Sequence, residues 1–393
     1  KKLSQKKIFF HNNLNKINPD VYIITVGTPL LKNGLKPDIS AIKKVSTEIS
    51  NKIKKNDLVI LRSTVPVGTT RKIVKNIIEK RSKLKCGLDF SLSFAPERTV
   101  EGDALNEITS LPQIIGSFDK KSLNFSDEIF SEFTKNIIKV ENIESAEMIK
   151  IINNTFRDVK FAYANEIALI SKNLNLDVSE LIKAANKGYP RDSIPFPSPG
   201  VGGPCLPKDS KILSYSIKNS KSHANLISIA RKVNESIIPN IFNEIKTYFK
   251  STNKDILKAK FFFMGIAFKG NPETSDFRGS NAIELINLLK KNFNLKNIFV
   301  YDPVIKKNDI LKLGLKNTTI DKGFKNSDVI LIMNNHISFQ KIKINQLLKS
   351  SKNNCLLFDG WSVFDKKQFN LNKNIKYLSV GSKKWKNLIL EIS

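Results

Sequence analysis

Short apolar runs alternate with amphipathic stretches through both ends of the chain. Val21-Tyr22-Ile23-Ile24-Thr25-Val26 and Leu58-Val59-Ile60-Leu61 are near-continuous apolar runs of strand length. The first ends in Gly27-Thr28-Pro29, the second in a loop running from Arg62 to Thr70, and residues 39–53 between them have helical spacing. Strand, helix, strand predicts a right-handed crossover in a parallel sheet, whose ligands lie beyond the carboxyl ends of the strands. A third run at 90–94 delivers residues 95–102 to the same edge. From 142 to 249 the pattern changes to two long helical periodicities, 142–174 and 224–249. Alternation then returns, with strand runs at 260–264, 298–301, 329–333 and 356–358 and a helical stretch at 281–291. The predicted fold is α/β: two doubly wound Rossmann-like domains, 1–140 and 253–393, joined by a helical segment, 141–252.

Between the two long helices lies Pro199-Gly200-Val201-Gly202-Gly203-Pro204-Cys205-Leu206-Pro207-Lys208-Asp209. Glycines allow close backbone approach and prolines stiffen the flanks, so the stretch reads as a turn that presents one thiol, with Lys208 and Asp209 starting a helix. An isolated cysteine is most often a small buried hydrophobe. Cys355, inside Cys355-Leu356-Leu357-Phe358, fits that description; Cys205, inside Gly/Pro-rich backbone, does not. A thiolate there suits nucleophilic chemistry, helped by a nearby ammonium and a carboxylate that orients or deprotonates water. Lys150 and Asn154, four apart, fall on one helical face and could together hydrogen-bond an oxyanion, although surface positions commonly carry such residues.

Composition changes the picture little. The 393 residues, 40% hydrophobic and 26% charged, can bury more than one core. Three separated cysteines form neither a disulfide framework nor a metal-ligand spacing, and His11, His223 and His336 stand isolated, so no metal is expected and a reducing, cytoplasmic location is. No apolar run reaches the roughly 18 residues of a membrane span, and residues 1–16 lack the apolar centre of a signal peptide, so no membrane partner is expected. The net charge of +29 is mostly lysine spread over every segment. Spread this way, it is more simply the compositional bias of an AT-rich genome than a nucleic-acid patch, and it would help steer an anionic substrate such as a nucleotide diphosphate.

The pattern Gly200-x-Gly202-Gly203-x-Cys205-x-x-Lys208-Asp209 resembles the active-site loop of the UDP-glucose/GDP-mannose 6-dehydrogenase family. The resemblance runs from the strand at Asp20 to the C-terminus and is nearest to the UDP-N-acetylmannosamine and UDP-N-acetylglucosamine members. It implies oxidation of a sugar C6 alcohol to the acid by two NAD-dependent hydride transfers, a step of surface-polysaccharide synthesis. Thr28-Pro29 and Ser63-Thr64-Val65-Pro66 match cofactor-side segments, although Thr64 could equally cap a helix starting near Gly68. Pro96-Glu97-Arg98 matches a segment whose acid, with Thr64, orders the hydrolytic water, and Glu101 lines the substrate cleft. Lys150 and Asn154 match the catalytic Lys and Asn, and the run from Asn154 to Glu166 resembles the N-acetylhexosamine type. For the UDP-sugar the resemblance implies Gly202, Lys208 and Lys269, with Arg191 reaching the substrate of a partner subunit and Phe196 on the uracil, although an aromatic between prolines is more often plain loop packing; for NAD it implies Arg278. It also implies a homodimer through the helical segment. In the implied mechanism Cys205 holds the substrate as a thiohemiacetal and then a thioester, and Asp209 is the general base or orienter.

A dinucleotide fold opens with a strand and a G-x-G-x-x-G turn, followed about 20 residues later by an acid for the ribose. Neither stands in this sequence, which begins Lys1-Lys2-Leu3 and, set against the family, lacks roughly the first 60 to 80 residues. The first domain is therefore expected to be incomplete at its N-terminus, to bind NAD weakly while UDP-sugar binds, and to leave the strands at Val21 and Leu58 beside an unpaired edge. The alternative reading is a non-catalytic nucleotide-sugar-binding or assembly subunit.

Overall fold

In the computed structural model, which describes residues 8–31, 34, 36–365 and 375–382, the apolar runs become strands nearly where the pattern puts them. The Lys1-Lys2-Leu3 opening lies outside the described residues. By its internal contacts the chain divides into two units, residues 1–154 with 211–224 and residues 155–210 with 225–393.

The first unit holds a five-stranded sheet in the order β1 (Val21–Ile24), β2 (Leu58–Leu61), β3 (Ser91–Phe94), β4 (Gln113–Ser117), β5 (Ile137–Val140). β1, β2 and β3 are parallel, with Val21 opposite Leu58 and Leu58 opposite Ser91. Thus among the described residues β1 is an edge strand, but β2 is paired on both sides. The helix Ser40–Ser50 makes the predicted crossover, and the Asp38 carboxylate just before it accepts the Ser40 amide at 2.9 Å. Its Ile42 and Ile49 pack with Val59, Leu61, Leu92 and Phe94. β4 departs from the all-parallel expectation: Phe94 faces Gly116 and Ser93 faces Ser117 in antiparallel register. After β3 the chain makes only a seven-residue helix, Ala104–Ser110, and re-enters the sheet from the carboxyl edge, so no crossover reverses its direction.

In the second unit the sheet order is β11 (Ile375–Ser379), β10 (Cys355–Asp359), β9 (Val329–Ile332), β6 (Phe261–Met264), β7 (Ile298–Tyr301), β8 (Lys316–Asn317), parallel throughout. From β6 the chain proceeds outward through β7 and β8 and then returns to β9 on the other side, so the strand order reverses between β6 and β9. In open α/β sheets that reversal opens a crevice for ligands. β6 reads Phe261-Phe262-Phe263-Met264, all buried, because period two sends Phe261 and Phe263 to one core and Phe262 and Met264 to the other. The first of these cores is completed by Ile237, Ile241, Ile245 and Phe249 of the helix Asn225–Thr252.

The other long helix is Ile143–Asn173, and the cysteine stretch leads into the helix Leu206–Ser216. Among the described residues no helix is long and apolar enough to cross a membrane.

Candidate active site

Cys205 is exposed and stands immediately before the helix Leu206–Ser216, its carbonyl accepting the amides of Lys208 at 3.0 Å and Asp209 at 2.9 Å. Cys205 is therefore the N-cap residue of a helix, where the positive end of the helix dipole favours negative charge. Asp209 is 1% exposed and its carboxylate lies 3.5 Å from the Lys208 ammonium. The glycines have a packing cause. Gly203 has φ +88°, and a Cβ there would stand 2.6 Å from the Phe268 ring. A Cβ on Gly202 would meet the Gly279 carbonyl at 2.4 Å.

That packing joins three stretches that are far apart in sequence. The Gly203 amide donates to the Gly279 carbonyl at 3.0 Å, and the Phe268 amide donates to the Asp276 carbonyl at 3.0 Å. The cysteine turn, the loop after β6 that carries Lys269, and the loop that carries Arg278 thus form one surface. Lys269 lies over the Phe268 ring at 5.6 Å, and Arg278 is exposed with its guanidinium on Asp276 at 2.6 Å. Arg191 is exposed and stacks on Tyr189 at 5.6 Å, while Phe196 is 39% exposed in the loop before Pro199.

The loop after β6 sits at the strand-order reversal and is held by groups that sequence reasoning overlooked. Asp302, at the end of β7, accepts the amides of Ile266 at 2.8 Å and Ala267 at 3.0 Å with one oxygen and those of Val304 and Ile305 at 3.0 Å with the other. Burial pushes its carboxyl up, but His336 and these amides outweigh burial and hold it below the usual range. His336, isolated in sequence, is fully buried here, 3.2 Å from Glu273 and 3.6 Å from Asp302. It gains those neighbours because the segment after β9 runs beside the loop after β6, with the Gly270 amide on the Asn335 side chain at 3.2 Å.

In the first unit the loops after β1 and β2 are locked together, as adjacent parallel strands require. The Thr28 hydroxyl donates to the Thr64 carbonyl and the Ser63 hydroxyl to the Val26 carbonyl, each at 2.6 Å. Thr28, Pro29, Ser63 and Thr64 therefore share one carboxyl edge. Glu97 follows β3 and is paired with Arg62 at 2.6 Å, while its other oxygen accepts the Arg98 and Thr99 amides at 2.8 and 2.9 Å. Burial pushes Glu97 up, but the Thr99 amide and Arg62 prevail and hold it below the usual carboxylate range, so it is an anion at neutral pH. Glu101 is exposed beyond it.

Lys150 and Asn154 occur on the helix Ile143–Asn173 as predicted, Lys150 half-buried and Asn154 buried. One turn earlier stands Glu147, absent from the sequence reading. Its carboxylate accepts the Gly68 amide, the Thr70 amide at 2.8 Å and the Thr70 hydroxyl at 2.6 Å, tying the loop that carries Thr64 to the helix that carries Lys150. The overlooked signal was a polar stripe on that helix: Glu147, Asn154, Asp158 and Asn165, at spacings of seven, four and seven, are all buried. The remaining cysteines separate from Cys205, since burial pushes the thiols of Cys86 and Cys355 up to about 12.

Three models of the UDP-glucose/GDP-mannose dehydrogenase family match the chain: its NAD binding domain over residues 1–134, its central domain over 144–236 and its UDP binding domain over 262–366. A UDP-N-acetyl-D-mannosamine dehydrogenase of Pyrococcus horikoshii is 32% identical over 344 residues, covering 88% of this chain and 78% of that one. The structure of the UDP-D-ManNAc dehydrogenase from Pyrococcus horikoshii aligns with a TM-score of 0.81 at 30% identity, over 92% of this chain and 81% of that one. An NDP-N-acetyl-D-galactosaminuronic acid dehydrogenase from Methanosarcina mazei aligns with a TM-score of 0.79 at 26% identity, over 93% and 78%.

Proposed function

Because the chain belongs to the UDP-glucose/GDP-mannose dehydrogenase family, we propose that it oxidises the C6 alcohol of a UDP-N-acetylhexosamine, with UDP-N-acetylmannosamine favoured, to the uronic acid through a covalent adduct on Cys205. The observation that carries this reading is the exposed thiol at the N-cap of Leu206–Ser216, with the buried Asp209 carboxylate and the Lys208 ammonium in the next turn. Relatives named for N-acetylmannosamine and N-acetylgalactosaminuronic acid support the N-acetylhexosamine class.

NAD, when bound, accepts one hydride in each of the two oxidations. Cys205 adds to the aldehyde carbon left by the first, and the Lys150 ammonium and Asn154 amide stabilise the charge that develops on its oxygen. Loss of hydride from that thiohemiacetal leaves a thioester on Cys205. Asp209 takes one proton from the water that attacks the thioester, the carbon–sulfur bond breaks to give the carboxylic acid and the Cys205 thiolate, and the acid's remaining proton passes to the thiolate, leaving carboxylate and thiol. Glu97, kept anionic by Arg62, and Thr64 orient that water. Thr28, Pro29, Ser63 and Arg278 serve NAD, while Glu101, Arg191, Phe196, Gly202, Lys208 and Lys269 serve the UDP-sugar. In this reading residues 1–140 carry NAD, 253–393 carry UDP, and 141–252 carry the thiol and the dimer contact.

The protein works as a homodimer in the cytoplasm, where a thiol nucleophile stays reduced. Support for the dimer comes from the helix Ile143–Asn173, on which Ile152, Phe156, Tyr163 and Ile170 form an exposed apolar stripe that a second copy would cover. The function is tested by Cys205→Ser: uronate formation should cease while UDP binding persists, and uronate formed at the wild-type rate removes the thiol from the reaction. The substrate class is tested by kcat/KM, which should be higher for UDP-N-acetylmannosamine than for UDP-glucose.

A further inference from the structure

Beneath the cysteine turn the second unit buries a polar network that the assigned roles leave unused. Asp158 and Asn165 come from the helix Ile143–Asn173, Arg231 and Asn234 from Asn225–Thr252, and Ser210 from Leu206–Ser216. All five are buried, Asp158 and Asn165 completely. One oxygen of Asp158 accepts from Arg231 at 3.0 Å and Asn234 at 2.8 Å, and the other accepts the Ser210 hydroxyl at 2.9 Å. The second terminal nitrogen of Arg231 donates to the Val201 carbonyl at 3.1 Å. The Asn165 amide donates to the Asn234 side-chain oxygen at 2.9 Å, and its oxygen accepts the Ser198 backbone amide at 2.9 Å. The Ser198 hydroxyl closes onto the Gly200 carbonyl at 3.0 Å.

We infer that Asp158 and Arg231 are positioning residues that hold Cys205 in place for attack on the substrate carbonyl. The inference rests on the reading of Cys205 as nucleophile. The two grips bracket the sulfur: Arg231 fixes backbone four residues before it, and Asp158, through Ser210, fixes the helix five residues after it. Turn carbonyls cannot be satisfied by a regular ladder, and each one buried needs a donor. Arginine's planar fork can serve the Val201 carbonyl and the Asp158 carboxylate at once, which a single ammonium cannot do in the same geometry. The arrangement is expensive for stability, because burial pushes the Asp158 carboxyl up against the opposing pull of Arg231, and an apolar core of equal volume would cost less. What a hydrocarbon core cannot supply is two fixed points on the backbone either side of a reacting atom. Misplacement of a reacting group by about 1 Å costs on the order of a hundred-fold in rate.

The test compares the full chain with Arg231→Lys and Asp158→Asn. Arg231→Lys keeps a cation beside Asp158 and surrenders the hold on Val201. For each folded variant, kcat for uronate formation should fall roughly a hundred-fold while KM for the UDP-sugar moves less than about two-fold. Independently of NAD, the rate of Cys205 alkylation by iodoacetamide should fall about three- to ten-fold. A merely structural role would lower melting temperature without moving that rate or splitting kcat from KM. If Asp158→Asn does not fold, Arg231→Lys decides alone. Wild-type kcat and alkylation in folded Arg231→Lys overturn the positioning role even where Cys205→Ser is inactive; an active Cys205→Ser instead overturns the nucleophile reading beneath it.

Discussion

Replacing Glu147 with glutamine should flatten the pH dependence of local stability where the Thr64-bearing loop meets the helix Ile143–Asn173. Glu147 is 1% exposed and accepts three hydrogen bonds from Gly68 and Thr70. Burial raises its pKa from 4.5 to about 7, with those hydrogen bonds pulling the other way. An acid whose folded pKa lies above its unfolded value binds its proton more tightly when folded. Its stabilisation is therefore fully present below about pH 4.5 and is lost as pH rises through about 7. The gap between those two values is worth about 3 kcal/mol, of which about 2.5 kcal/mol is lost between pH 5 and pH 8. Glutamine is neutral throughout, so that loss disappears. Its amide NH2 must face either the Gly68 or the Thr70 donors, at a cost of about 1 to 3 kcal/mol that does not change with pH. Hydrogen exchange read by mass spectrometry on peptides spanning 63–75, corrected for intrinsic rates, measures the opening free energy directly. The wild-type curve should fall by about 2.5 kcal/mol relative to the variant's from pH 5 to pH 8, since every other titrating group is common to both. Parallel curves would refute the assignment of a raised pKa to Glu147.

Gly203→Ala combines a left-handed backbone at φ +88° with a Cβ 2.6 Å from Phe268, and about 2 to 4 kcal/mol of strain and overpacking should lower Tm by roughly 2 to 5 °C in scanning calorimetry; a Tm within about 1 °C of wild type contradicts it. Titration with an aromatic disulfide at pH 8 should find one fast thiol, Cys205, with Cys86 and Cys355 reacting only on unfolding because they are buried and pushed up to about 12. Two fast thiols would be the contrary result. Paired substitution of Phe156→Glu and Tyr163→Glu places charge in the exposed apolar stripe and should convert a sedimenting dimer to monomer, whereas a dimer of unchanged mass in the variant would show that copies meet elsewhere.

Much of the architecture was legible because the central strands are covered on both faces, so β2, β6 and β9 are unbroken apolar runs that any period detects. Leu58–Leu61 and Ile298–Tyr301 fall where expected. β4 was not legible: Gln113-Ile114-Ile115-Gly116-Ser117 is short, contains a glycine, and takes an antiparallel place that depends on how the chain returns from β3. The cysteine turn was legible because close backbone approach demands glycine whatever the partner, but the partners themselves, Phe268 and Gly279, could come only from folding. The long helix shows the division most clearly. Its periodicity announces a helix, and the structure gives it an exposed side, where Ile152, Phe156, Tyr163 and Ile170 stand among Arg157, Lys160 and Glu166, and a buried side that carries Glu147, Asn154, Asp158 and Asn165 beside apolar residues. Hydrophobicity alone would bury Ile152, Phe156, Tyr163 and Ile170, yet these are exposed, while Glu147, Asn154, Asp158 and Asn165 share the buried side with Ile151, Ala164 and Ala168. The reason lies across from it, where the Gly68, Thr70 and Ser198 amides, Arg231 and Asn234 need polar partners. Periodicity along a helix records that its faces differ, while which face turns inward is decided by the unsatisfied groups that the rest of the chain brings to meet it.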